Sequence, residues 1–93
     1  MLFRSVEGAQ DNVARTASRI ARAQVSVDQT RNEARRSEQL ARQGFIAPIK
    51  LETDRLATLA AQRELEGSAA ERRVAEHELE QARAALGDRK SVV

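Results

Sequence analysis

The chain has 93 residues, of which 2% are aromatic and 32% are charged, and it contains no cysteine. So few large apolar side chains cannot fill the core of a compact domain of this length, whereas abundant Ala, Arg and Glu are typical of long exposed helices. The net charge is only +2, and no clustered basic face or set of stacking aromatics is present, so no nucleic-acid partner is expected.

A seven-residue repeat in the first half of the chain predicts an α-helix over about residues 3–43. Larger residues recur at every seventh position, and small residues follow them three places later, which is the a/d pattern of a coiled coil. The larger series is Val6, Val13, Ile20, Val27, Ala34 and Ala41, and the smaller series is Ala9, Thr16, Ala23, Thr30 and Ser37.

Helix-breaking residues cluster at the middle of the chain. Gly44 stands where a left-handed C-terminal cap belongs, and Pro48 stands where the first turn of a helix begins. We therefore expect a turn over residues 44–47, which is short enough to make the two helices antiparallel neighbours. Ala47 falls at the N-cap position of the second helix, and it has no side-chain oxygen to accept from the free amides there.

The second half of the chain repeats the pattern and predicts a helix over about residues 48–87. We expect Gly87 to stop this helix and to leave a frayed tail over residues 88–93. The larger series is Leu51, Thr58, Leu65, Arg72, Leu79 and Leu86, and the smaller series is Ala61, Ser68, Ala75 and Ala82. Only Thr58 and Arg72 interrupt the large apolar residues of the larger series.

The two repeats mirror each other about the turn. When the larger residues are paired outward from the turn, the two residue numbers of every pair add to 92, as facing residues in a hairpin must. This register places Arg19 beside Glu71 or Glu78. The sequence thus predicts an all-α fold, a long antiparallel two-helix coiled-coil hairpin about 60 Å long. We expect the hairpin to be a fragment of a larger protein, because a hairpin without a globular core of its own is usually an insertion or an arm.

No group of residues has the pattern of a catalytic or metal site. The one histidine, His77, lies between Glu76 and Glu78. On a two-helix rod such a histidine is typical of a solvated side chain, since the rod offers no enclosed site. We expect no enzyme activity, no metal and no cofactor.

Several apolar residues near the turn are not used by the seam between the helices. Phe45 and Ile46 lie at the far end of the rod, and Leu56 and Leu59 fall on outer positions of the second helix. Grouped exposed apolar side chains mark contact surfaces. Two interpretations of Phe45 stay open, namely contact with a partner or packing back on Leu40 or Ala41 as part of the cap. We expect Leu56 and Leu59 to pack laterally against another copy of the hairpin.

The predicted tip resembles that of a known family. Residues 36–47, with the sequence RSEQLARQGFIA, are similar to the hairpin tip of the HlyD-like periplasmic adaptor, or membrane fusion, proteins of bacterial tripartite efflux pumps and type I secretion systems. The family pattern is R-x3-L-x6-S with a Gly between the Leu and the Ser. Arg36, Leu40 and Gly44 match this pattern, whereas Ala47 occupies the Ser position.

The resemblance implies a role in transport. The hairpin would project from a lipoyl-like domain of a protein that is associated with the inner membrane, and would stand in the periplasm. Its tip would meet the helical entrance of an outer-membrane channel and link that channel to an inner-membrane transporter for efflux or secretion. Ala47 would lack the hydroxyl that caps the second helix and bonds to the channel. The expected partner-binding residues are Arg36, Leu40, Gly44, Phe45, Ile46 and Ala47.

An alternative interpretation is an antiparallel coiled-coil arm of a cytosolic protein that binds RNA or protein. An RNA-gripping arm, such as that of a seryl-tRNA synthetase-like enzyme, needs a basic stripe along the rod. The second helix argues against such a stripe because it carries the acids Glu64, Glu66, Glu71, Glu76, Glu78 and Glu80. A free-standing coiled coil with no hairpin conflicts with the break between Gly44 and Pro48.

Overall fold

Two long α-helices make up nearly all of the described part of the chain. The structure, a computed structural model, describes the backbone of residues 6–92 and the side chains of residues 6–87. Helix α1 spans Val6–Arg42 and helix α2 spans Pro48–Val92, with a loop over residues 43–47 between them. The helices pack side by side in a rod with extents of 75 × 18 × 15 Å. The prediction of an all-α antiparallel hairpin is confirmed.

The ends of the helices differ from the expected ones. Helix α1 ends at Arg42, so the turn starts one residue before the expected 44, while the expected start at residue 3 lies outside the described residues. Helix α2 does not stop at Gly87 but runs to Val92, five residues beyond the expected end, and residue 93 is not described. A single glycine inside a helix costs about 1 kcal/mol against alanine, which is too little to end a long helix when no proline follows.

Small residues occupy the centre of the seam between the helices. The residue numbers of facing residues in α1 and α2 add to 91, whereas the larger series predicted a sum of 92. The hydrogen bond between Ser37 and Asp54 shows this register. The larger series lies at the sides of the seam and is mostly half-buried, and Val27 is its one fully buried member among the described residues. The buried residues of the small series are Ala9, Thr16, Ala23 and Ser37 in α1 and Ala61, Ser68 and Ala75 in α2, and Asp54 is buried at the next position of the same seven-residue spacing.

Threonine hydroxyls in the seam form hydrogen bonds to backbone carbonyls of their own helix. The Thr16 hydroxyl donates to the Val13 carbonyl at 2.8 Å, and the Thr30 hydroxyl donates to the Ser26 carbonyl at 2.9 Å. Within the described part of the chain, no buried side-chain nitrogen or oxygen lacks a partner. Serine and threonine therefore substitute for alanine in the seam without the free-energy cost of an unsatisfied buried hydroxyl.

The turn is a Schellman cap on α1. Gly44 has a φ of 78°, the Phe45 amide donates to the Leu40 carbonyl at 2.8 Å, and the Gly44 amide donates to the Ala41 carbonyl at 3.0 Å. Helix α2 then starts at Pro48, and the Ala47 carbonyl accepts from the Lys50 amide at 3.0 Å. The cap requires glycine because the left-handed region is costly for any residue with a Cβ atom.

We predict opposite effects for two alanine substitutions of glycine. Gly44→Ala should lower the free energy of unfolding by about 1 to 2 kcal/mol, because alanine at this φ is strained. Gly67→Ala is the matched control and should raise it by up to about 1 kcal/mol, because Gly67 lies in the middle of α2 and a Cβ atom there meets nothing within 4 Å. Urea unfolding followed by circular dichroism, at one protein concentration, measures both. A Gly44→Ala chain as stable as the starting protein would contradict the role of the left-handed cap.

Candidate functional site: the hairpin tip

The apex of the hairpin presents apolar side chains to solvent. Phe45 and Ile49 are each 72% exposed, whereas Ile46 is half-buried. The Phe45 amide donates a hydrogen bond to the Leu40 carbonyl in the cap. The Phe45 side chain nevertheless stays mostly exposed, so neither Leu40 nor the rest of the described hairpin covers it. Of the two interpretations of Phe45, packing back on the cap therefore does not describe the structure.

Basic residues flank this apex in the sequence. Arg36 and Leu40 are four residues apart and so share one side of α1; Leu40 is half-buried, while Arg36 is exposed and pairs with no other described residue. Arg42 pairs with Glu38 in the last turn of α1. Residues 35–50 contain four basic residues and one acid, which gives this segment a charge of +3. The tip is thus an exposed apolar point within a segment of small net positive charge.

An apolar stripe continues from the tip along the outer side of α2. Leu56 is 59% exposed and Leu59 is 44% exposed. Ile49 lies seven residues before Leu56 and therefore on the same side of the helix, which faces away from α1. Our sequence reasoning missed Ile49, although its spacing to Leu56 was a usable signal. The lateral packing predicted for Leu56 and Leu59 remains a prediction, and their exposure is compatible with it.

A polar layer lies directly beneath the tip. The Ser37 hydroxyl donates to the Asp54 carboxylate, and the Lys50 ammonium donates to both carboxylate oxygens at 2.8 and 3.0 Å. The Asp54 side chain is only 10% exposed, whereas that of Lys50 is 53% exposed. Asp54 is the one charged residue that is buried among the described side chains. This layer ties the first turns of α2 to the last turns of α1, and so holds the base of the tip in place.

The pKa values in this layer reflect its hydrogen bonds. The hydrogen bond from Lys50, followed by the one from Ser37, lowers the pKa of Asp54, because both favour the carboxylate. The same bond raises the pKa of Lys50. Sequence reasoning missed this layer; the signal was the spacing of Asp54 seven residues before Ala61, which places it in the small series opposite Ser37.

His77 is exposed, and its ring nitrogen lies 3.4 Å from the amide nitrogen of Gln81. Among the described residues, no three His, Cys, Asp or Glu side chains are placed to hold a metal ion. Neither helix has, within the described range, an apolar stretch long enough to cross a membrane.

Comparisons of the chain with protein-family models, with curated proteins and with solved structures gave no match in any of the three cases. The likeness to adaptor proteins therefore rests on residues 36–47 and on the shape of the hairpin.

We predict that the polar layer acts as a unit. Asp54→Ala should lower the free energy of unfolding by about 1 to 3 kcal/mol, because it leaves the Ser37 hydroxyl without its acceptor inside the seam. Ser37→Ala combined with Asp54→Ala should recover most of that loss, because alanine then faces alanine as it does elsewhere in the seam. Urea unfolding of the two single variants and the double variant measures the coupling. Strictly additive losses would contradict it.

We also predict a loss of stability in acid from Asp54. Its folded pKa lies below the ordinary value of 3.8, so its contribution is fully present above that value and disappears as the pH falls through the folded pKa. Thermal unfolding between pH 7 and pH 2 should show a steeper fall below about pH 4 for the starting protein than for Asp54→Asn, in which all other acids are unchanged. Parallel curves for the two proteins would contradict this role of the carboxylate.

Proposed function

We propose that the hairpin is a docking arm whose tip binds a protein partner, and that it serves as a periplasmic adaptor hairpin. In this role it links an inner-membrane transporter to an outer-membrane channel and supports efflux or secretion. The observation that carries the proposal is the exposed ring of Phe45 at the apex of a long, narrow rod.

The shape of the molecule supports contact through the tip. A rod with a length of 75 Å and a width of 18 Å holds its tip far from whatever carries its open end. The seam uses small side chains, so the exposed apolar residues of the turn region are not needed to join the helices. Exposed apolar side chains that do not serve the fold are suited to contact with a partner.

Three of the tip residues have properties suited to such a contact. Phe45 has the size of an anchor that fills an apolar pocket, and Arg36 has an unpaired guanidinium that can donate to carboxylates or carbonyls of a partner. Ala47 provides no side-chain oxygen for the amides at the start of α2. An acceptor from the partner would complete the N-terminal cap that Ala47 leaves open.

We predict that Phe45→Ala weakens binding to the outer-membrane channel of the same organism by about tenfold or more, as expected for an aromatic anchor. Val25→Ala is the matched control, because Val25 is also an exposed apolar residue but lies near the middle of α1. Surface plasmon resonance with the purified channel measures both dissociation constants. Equal effects of the two substitutions would contradict docking through the tip.

The position of the contact can be tested in cells. The chain has no cysteine, so Arg36→Cys and Leu40→Cys each introduce a unique site for crosslinking. Adducts with the outer-membrane channel are expected at both sites, and none is expected for Val25→Cys. Adducts with RNA or with a cytosolic protein, in the absence of any with the channel, would overturn the adaptor role in favour of a cytosolic arm.

A further inference from the structure

A groove of about 600 Å³ runs between the two helices at the middle of the rod. Small residues form part of its lining, among them Ala23, Gly67 and Ser68. Because these side chains are short, another helical rod can approach closely on this side of the hairpin. We call the side of the rod on which the groove opens the groove face.

The two helices bring opposite charges to the groove face. Arg19 and Arg22 line the groove on α1, and Glu64 and Glu71 line it on α2. Residues seven apart lie on one side of a helix, so the same face carries the other members of these series. The α1 series through Arg22, the basic row, is Arg15, Arg22, Gln29 and Arg36, and the α2 series through Glu64, the acidic row, is Ala57, Glu64, Glu71 and Glu78.

These charges are only partly paired within the chain. Arg19 and Glu71 form an ion pair across the groove at 2.7 Å, and both side chains stay about half exposed. Arg22 and Glu64 are exposed and have no ion pair or hydrogen bond to a described residue. A surface that matches this face needs an acidic row opposite the basic row and a basic row opposite the acidic row. The groove face of a second copy has both.

Two rods with aligned long axes can meet face to face about a two-fold axis in two ways. An axis across the rods, in the plane between the faces, places α1 over α1 and α2 over α2, so rows of like charge oppose each other. An axis parallel to the rods places α1 of each copy over α2 of the other, with both tips at the same end. Only the second arrangement brings unlike rows together, and electrostatic complementarity of this kind selects a partner surface. We propose that two copies of this chain pair through their groove faces in this parallel arrangement.

The symmetry fixes the register between the two copies. Because an axis parallel to the rods leaves every residue at its own level, an α1 residue lies level with the α2 residue of the second copy whose number completes a sum of 91. Members of the basic and acidic rows whose numbers add to 93 are then two residues, or about 3 Å, apart along the rod. These pairs are Arg15 with Glu78, Arg22 with Glu71, Gln29 with Glu64 and Arg36 with Ala57.

Residues beside the two rows also fit this register. Glu33 lies seven residues after Ser26, which lines the groove, and it comes level with residue 58 of the second copy, beside the uncharged Ala57 of the acidic row. Gly67 lies two residues from the level of Arg22, so no side chain there obstructs the stem of the arginine. Each exposed ion pair contributes little alone, but the two-fold axis repeats every pair and the rows extend over several turns.

The parallel arrangement presents both tips at one end of the pair. Two Phe45 rings would then face a partner together, and the second ring would bind at the high effective concentration that the first contact creates. The pairing residues lie along the groove face, on a side of the rod different from Leu56 and Leu59. The proposal therefore does not rest on the adaptor function or on lateral packing through those leucines.

Charge reversal tests the pairing. Sedimentation equilibrium should show a dimer for the unchanged chain, and Arg22→Glu alone or Glu71→Arg alone should raise its dissociation constant about tenfold or more, because like charges then meet at both symmetric contacts. An equimolar mixture of the two variants should restore the dimer, since each contact again joins opposite charges. A loss that arose only from breaking the Arg19–Glu71 pair within the chain would not be restored by mixing.

Matched controls carry the same changes of charge on the other side of each helix. Arg31→Glu and Glu80→Arg lie nine residues, or about two and a half turns, from Arg22 and Glu71, and both should leave the dimer intact. Circular dichroism verifies that each variant stays helical. A monomer or an assembly larger than a dimer for the unchanged chain would overturn the proposal. So would single variants that dimerise as well as their controls, or a mixture that associates no better than its parts.

The distance between two spin labels tests the orientation of the pair. The chain has no cysteine, so Gln43→Cys provides one labelling site beside the tip. In the parallel pair the two labels lie at the same level and are separated by the width of two helix layers, on the order of 20 Å. In an antiparallel pair they would lie about 55 Å apart, and a distance of that size would overturn the parallel arrangement.

Discussion

The close approach of two helix backbones along a seam of small residues is the constraint on which the rest of this structure depends. Alanine, serine and threonine at every seventh position leave little space between the helices, so the larger residues move to the sides of the seam. Each small layer removes little apolar surface from water, at roughly 25 cal/mol per Å². The rod is therefore stabilised by many weak layers rather than by a few large side chains. This leaves apolar residues at the turn, such as Phe45, available for other contacts.

One layer of the seam is different, and its position gives it a structural role. Ser37 and Asp54 face each other beneath the turn, where alanine or serine would suffice for packing, and Lys50 neutralises the buried carboxylate. A polar pair within an otherwise uniform seam distinguishes the correct register from one displaced by a heptad, since only the correct register joins these two residues. The layer thus orients the tip while the remaining layers determine the length of the rod. An orientation fixed in this way is useful to a surface that must meet a partner in one geometry.

Local signals in the sequence were sufficient to predict the hairpin, but not how deeply each residue is buried between the helices. The heptads and the break from Gly44 to Pro48 predict two helices, their direction and a register within one residue of the observed one. Periodicity identifies the side of a helix that faces its neighbour, but the distance between the helices decides whether Ala23 or Ile20 lies deeper. Asp54 was missed because a carboxylate at a buried position is favourable only beside specific donors, and those come from both helices. The exposure of Phe45 could be predicted because nothing lies beyond it to pack on, whereas a surface that binds it would belong to another molecule.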